Sequence, residues 1–197
     1  MKPHTLEHED GLERCSWAGR DAQYVSYHDE EWGVRVVGDQ QMFERLSLEG
    51  FQAGLSWLSI LKRREGFRSA FKGFDIAAVA NLNESEVDNL MLDSGIIRNR
   101  AKILSTISNA KISLSLDGGL SNLLWSFAPE RSKKTLSILQ VDGFEWVATS
   151  LYSEAMAKEL KRLGFGFVGS TTMHALMQAT GMLNEHAPNC FRNPELT

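Results

Sequence analysis

Four residues of this chain are of types that bind transition metals, and they come as two pairs: Cys15 with His28, and His186 with Cys190. Twelve residues separate the first pair and three the second. Thiolates and imidazoles suit tetrahedral zinc, and four protein ligands leave no coordination position open, so such a metal would be structural rather than catalytic. The same residues also read as two unrelated buried thiols and two surface histidines. Glu49 is a second candidate. On a helix over 39–54 it shares a stripe with Met42, Leu46 and Ala53, where a carboxylate is costly unless it is paired or functional. The choice lies between a site residue and an i,i+4 ion pair with Arg45. Nearby in sequence stand Trp17, Tyr24, Tyr27, Trp32, Phe43, Phe51 and Trp57. Most large aromatics are core, but beside a buried carboxylate they also make a slot for a flat, positively charged ring. Third, Asp93 to Arg98, with Gly95, turns one helix into the next. Such a turn can offer backbone N–H groups to a phosphate or be an ordinary connection.

The elements that must position these residues read as helices almost throughout. Asp39 is a plausible N-cap for the helix that carries Glu49, and a second helix follows over 56–71. Asn83 to Glu86 resembles a capping box, with Val87, Leu90 and Met91 on one face, and Asp93-Ser94-Gly95 breaks that helix. Helical spacing resumes over 98–116, and Gly118-Gly119 marks a turn. A helix over 153–163 is closed by Gly164, and Ser170 can cap a last helix carrying Met173, Leu176 and Met177. The stretch 128–150, with Pro129 and Gly143, has no clear period. Strand-like alternation is scarce, so the expectation is an all-α fold.

The chain has 197 residues, 43% of them apolar, enough to bury a core without disulfides. Its two cysteines favour a reducing compartment. The opening residues lack the apolar centre of a secretion signal, and no run is long enough for a membrane span, so a soluble, cytoplasmic protein is expected. A net charge of −4 argues weakly against nonspecific nucleic-acid binding. Basic residues do cluster at 62–64, 98–102, 131–134 (Arg131, Lys133, Lys134) and 158–162, as a phosphate-binding face or as solvated helix faces.

In chain order, the segments Arg14-Cys15-Ser-Trp17, Tyr27-His28-Asp-Glu-Glu-Trp32-Gly33, Leu48 to Trp57, Gly95 to Ile103, Leu124 to Phe127, Gly164 to Gly169 and Met177 to His186 resemble the 3-methyladenine DNA glycosylase I family of the helix-hairpin-helix superfamily. The resemblance runs from about residue 13 to 190. It implies a helical fold of one glycosylase domain over 13–191, a flexible extension over 1–12 and a tail over 192–197. It also implies that Cys15, His28, His186 and Cys190 hold one structural zinc joining the two ends of the chain. By the same route Glu49 matches the catalytic pocket carboxylate. Tyr27, Trp57, Trp17, Trp32 and Gln52 match the base-binding pocket, and Gly95, Ile96, Ile97 and Arg98 the hairpin that grips DNA. The implied activity is hydrolytic excision of 3-methyladenine from alkylated double-stranded DNA by a monomer. Lyases of the superfamily carry a Schiff-base lysine after the hairpin; aligned on Gly95 that position is Asn99, which implies a monofunctional enzyme. A non-catalytic damage-binding module is the competing class, and Glu49 with its aromatic set speaks against it.

Overall fold

The computed structural model describes residues 4–130 and 144–194; the basic stretch at Arg131, Lys133 and Lys134, and Gly143, lie outside them. Among the described residues the chain forms ten α-helices and one short antiparallel hairpin. Strand β1 (Thr5–Glu7) pairs with β2 (Glu13–Cys15), with Thr5 opposite Cys15 and Glu7 opposite Glu13. Residues 4–12, expected within a flexible extension, are therefore tied to the domain. Ladder hydrogen bonds hold them, and so does Arg14, which bridges Asp10 and Asp29. A 3-10 turn at Ser16–Ala18 leads into α1 (Ala22–Glu30), which Asp21 caps by accepting from the amides of Gln23 and Tyr24.

Helix α2 (Asp39–Gln52) runs through the core and packs against several later helices. Asp39 is not its cap. Gly38 takes that position, while the Asp39 carboxylate accepts from the Ser121 amide at 2.8 Å and ties α2 to α8 (Gly119–Trp125). The predicted stripe holds at Met42, Leu46 and Glu49, all buried, but Ala53 is exposed past the helix end. The helix expected over 56–71 is two: α3 (Trp57–Leu61), capped by Ser56, and α4 (Arg64–Ala70). The chain bends between them at Lys62–Arg63, and Arg64 reaches inward to Glu31.

Helix α5 (Ile76–Ala80) and α6 (Glu84–Leu92) follow, the latter with both halves of the Asn83–Glu86 capping box. Then come α7 (Arg100–Leu114), capped by Asn99, and, after α8, α9 (Leu151–Arg162) and α10 (Ser170–Ala179). Gly164, at φ +94°, ends α9 in a Schellman arrangement: Phe165 N–H donates to Leu160 O and Gly164 N–H to Lys161 O. Gly169, not Ser170, occupies the N-cap of α10. The core centres on α2 and the fully buried rings of Phe43, Phe51, Phe67, Phe71 and Phe74. Each such side chain contributes roughly 1.5–3 kcal/mol by leaving water. Among the described residues no helix is long and apolar enough to cross a membrane.

Candidate active site and metal centre

Glu49 sits three residues from the end of α2, 3% exposed, and its Oε2 has no hydrogen-bond partner among the described residues. The local ion pair with Arg45 does not form. Arg45 instead donates to Glu31 at 2.7 Å, and Arg64 grips both oxygens of the same carboxylate. Burial alone would raise the Glu31 pKa, but the hydrogen bonds from Arg64 and Arg45 hold it below the ordinary value. Glu49 has no such donors: burial pushes its pKa from the ordinary 4.5 to about 8, against a small opposing pull from Arg45. It lines a cavity of about 300 Å³.

Every pocket residue expected from sequence faces that cavity. Tyr27 comes from α1, Trp17 from the 3-10 turn, Trp32 from the loop after α1, Gln52 from the last position of α2 and Trp57 from the first turn of α3. The Tyr27 and Trp57 rings lie 5.3 Å apart, tilted by 46°, and Trp17 meets Trp32 edge-on at 4.9 Å. Trp57 Nε1 is also buried and has no partner among the described residues. Burial, then the nearby Glu49, raise the Tyr27 hydroxyl far above its ordinary pKa and push Tyr24 up to about 12. The empty pocket thus resists negative charge, yet holds a carboxyl with no counter-ion. A flat cation with hydrogens to donate would satisfy both the carboxyl and the aromatic faces.

Sequence reasoning assigned no role to Ala175, Gln178, Trp146 and Val147, which complete the lining. The two α10 residues stand one turn apart or less and could have been sought there. Trp146 and Val147 belong to the stretch without a period, and only tertiary packing brings them in.

Cys15, His28, His186 and Cys190 come together as expected. All are buried, with ligand atoms within 4.8 Å of one another. Cys15 Sγ lies 3.6 Å from His186 Nδ1; Cys190 Sγ lies 3.5 Å from that atom and 3.4 Å from His28 Nε2. With Zn–S near 2.3 Å and Zn–N near 2.0–2.1 Å, tetrahedral geometry sets a sulfur and a nitrogen roughly 3.5 Å apart. Donor set and spacing therefore fit that ion. The remaining ring nitrogens are oriented from outside: His28 Nδ1 donates to Asp29 at 2.7 Å, and His186 Nε2 to the Trp32 carbonyl at 3.2 Å. Gly33, at φ +78°, passes so close that a Cβ there would sit 3.2 Å from His186 Nε2.

A tight turn connects α6 to α7. Gly95 packs on Gly66 of α4 so closely that a Cβ on Gly66 would lie 2.4 Å from the Gly95 carbonyl oxygen. The Gly95 amide is taken by the Asp93 carboxylate at 2.7 Å, and the Ile96 side chain is buried. The amides of Ile97 and Arg98 have no partner among the described residues, and Arg98 is exposed. Much of the neighbouring basic charge is neutralised: Arg100 pairs with Glu84 and Asp88, and Lys62 with Asp21.

A model of the methyladenine glycosylase family matches residues 17–193. The DNA-3-methyladenine glycosylase 1 of Escherichia coli (strain K12) is 40% identical over 187 residues, 93% of this chain and 98% of that protein. The DNA-3-methyladenine glycosylase of Haemophilus influenzae is 39% identical over 181 residues, 90% of this chain and 96% of that one. Among solved structures, a 3-methyladenine DNA glycosylase I at 38% identity superposes with a TM-score of 0.81, covering 92% of this chain and 100% of the other. The Staphylococcus aureus enzyme, solved for its recognition of 3-methyladenine, gives 0.81 at 28% identity, covering 92% and 96%.

Proposed function

The chain belongs to the methyladenine glycosylase family and excises 3-methyladenine from alkylated DNA; we propose that Glu49, set among Tyr27, Trp57, Trp17 and Trp32, is the group that binds and discharges the base. The observation that carries this is the buried, unpartnered Oε2 of Glu49 at a pocket walled by aromatic rings.

A base inside a duplex cannot reach such a pocket, so the nucleotide is flipped out. Methylation at N3 gives the adenine a positive charge. The Tyr27 and Trp57 faces hold that cation, worth ~1–2 kcal/mol where water is excluded. Glu49, protonated in the free site, gives its proton to solvent opposite the cation and accepts a hydrogen bond from the base, and Gln52 lines the same wall. Water adds to the sugar carbon as the glycosidic bond breaks and releases one proton to solvent, while the bonding pair leaves with the base, which departs neutral. Ordinary adenine carries no charge and keeps a stronger bond, so modest pocket affinity suffices for selectivity.

On DNA, the 95–98 segment serves as the hairpin of a helix-hairpin-helix. Gly95 and Ile96 shape the turn, and the open amides of Ile97 and Arg98, with the Arg98 guanidinium, meet backbone phosphate of the double helix. Asn99 caps α7, accepting from the Lys102 amide at 3.1 Å, and offers no amine for a Schiff base, which supports a monofunctional enzyme. Cys15, His28, His186 and Cys190 hold one zinc with no open position, which cross-links the two ends of the chain. Single-turnover release of 3-methyladenine from methylated duplex tests the assignment. Full release by Glu49→Gln would remove Glu49 from the role.

A further inference from the structure

Gln178, the penultimate residue of α10, is a polar group on the pocket lining whose orientation is fixed from behind. Its Nε2 donates to Oε2 of Glu185 at 2.5 Å, and His174 Nε2 meets the same oxygen at 3.3 Å. Two donors converging on one oxygen make Glu185 the acceptor for both. Glu185 is 6% exposed and His174 2%, so this support is buried. The main chain adds to it: the Gly33 amide donates to the Gln178 carbonyl at 3.1 Å, and the Trp146 indole to that of Glu185 at 3.1 Å.

An amide that gives its NH₂ to a carboxylate turns its own oxygen away from it. The Gln178 side-chain oxygen accordingly has no partner among the described residues, and Gln178 itself lines the cavity. The chemistry of the support is thus asymmetric: it admits an outward acceptor and excludes an outward donor. We propose that Gln178 is a specificity-determining residue, held by Glu185 so that its oxygen accepts a hydrogen from the exocyclic amino group of the flipped purine. This rests on the base-binding role of the pocket. A 6-amino purine has two such hydrogens, and Glu49 on α2 and Gln178 on α10, helices that pack together, offer an acceptor for each. A 6-oxo purine would set carbonyl oxygen against amide oxygen, a repulsive pairing that rejects it.

The test uses the zinc-loaded protein and two free bases that differ only at position 6: 3-methyladenine and 3-methylhypoxanthine, followed by quenching of pocket tryptophan fluorescence. Wild type should bind the amino base more tightly. Gln178→Met keeps length and removes the acceptor; it should lower that preference about tenfold, the worth of one good hydrogen bond. Glu185→Gln lets the Gln178 amide turn either way and should lower the preference part of the way, with no further loss in the Gln178→Met background. An unchanged preference in Gln178→Met overturns the proposal alone. So does a Glu185→Gln effect that simply adds to it, since Glu185 would then act only on the fold. Wild type that binds neither base overturns the pocket assignment as well.

Discussion

His186 stands edge-on to Trp32, with ring centroids 4.6 Å apart, and its Nε2 donates to the Trp32 carbonyl while its Nδ1 faces the sulfurs of Cys15 and Cys190. One imidazole thus joins the cysteine–histidine cluster to a wall of the cavity that Glu49 lines. His28 repeats the relation with Trp17, 5.3 Å away and also edge-on. Whatever fixes the two imidazoles also fixes two of the pocket's indoles.

The first prediction follows from that link. Elemental analysis of purified protein should find one zinc per chain. Chelation should lower Tm by about 10 °C or more, since each kcal/mol is worth roughly 2–4 °C at this size. Cys190→Ser should cost more stability than per-molecule activity at low temperature, because Glu49 and Trp57 are carried by α2 and α3, which hold none of the four cluster residues. Metal-free protein with unchanged melting would remove the structural role.

The second concerns pH. Burial raises Glu49 from 4.5 to about 8, so between those values the folded protein binds more protons than the unfolded chain. Stability from this group is therefore fully present below about 4.5 and is lost as pH rises towards 8, with a slope of at most about 1.4 kcal/mol per pH unit. Glu49→Gln has no such proton to lose. Chemical denaturation at pH 5 and pH 8 should show the variant gaining on wild type at the higher pH; equal pH dependence would mean that Glu49 is ionised in the free enzyme.

The sequence carried the fold where local signals and packing agree. The Asn83–Glu86 capping box, the Gly164 terminus and the Met42–Leu46–Glu49 stripe all stand in the structure. It also marked Glu49, a carboxylate on an apolar stripe, as an anomaly with either a site role or a pair with Arg45, and the family resemblance pointed to the aromatic residues that line the cavity with it. What it could not show was which partner Arg45 takes. That depends on Glu31, brought alongside by the loop after α1, and no local spacing encodes it. Helix α1 escaped notice for a related reason. Its aromatic residues Tyr24 and Tyr27 serve the cavity rather than a regular apolar face. Asp39 looked like a cap and is instead a tertiary tie to Ser121. The N-terminal strand was invisible because three residues of pairing leave no periodic trace.

Arg98 supplies the third prediction. It is exposed beside two amides that have no partner among the described residues, while its neighbour Arg100 is held by Glu84 and Asp88. A free cation at a phosphate-binding turn contributes to affinity without reading sequence. Arg98→Ala should weaken binding to undamaged duplexes of different sequence by the same few-fold factor and reduce the slope of log K against log salt by about one. Loss confined to one sequence context would place Arg98 in a groove instead.

The last prediction concerns the pocket carboxylate. Glu49 has no donor among the described residues, so what it gains in the complex comes from the base. Glu49→Gln preserves volume and one acceptor oxygen while removing the charge that faces the cationic purine. Excision of 3-methyladenine, measured as single-turnover release from methylated duplex, should fall by roughly a hundredfold, the scale of losing one preorganised electrostatic contact. Circular dichroism at pH 8 should show the variant at least as stable as wild type, since the buried acid no longer resists ionisation. Binding to undamaged duplex should be unchanged, because the hairpin is untouched. Trp57→Ala acts on the other term: it removes ring area and a π face, so affinity for the free base should fall by about tenfold or more while the carboxylate remains. A stabilised Glu49→Gln that excises at the wild-type rate would show that the charge is dispensable and that the aromatic walls alone drive the base from its sugar.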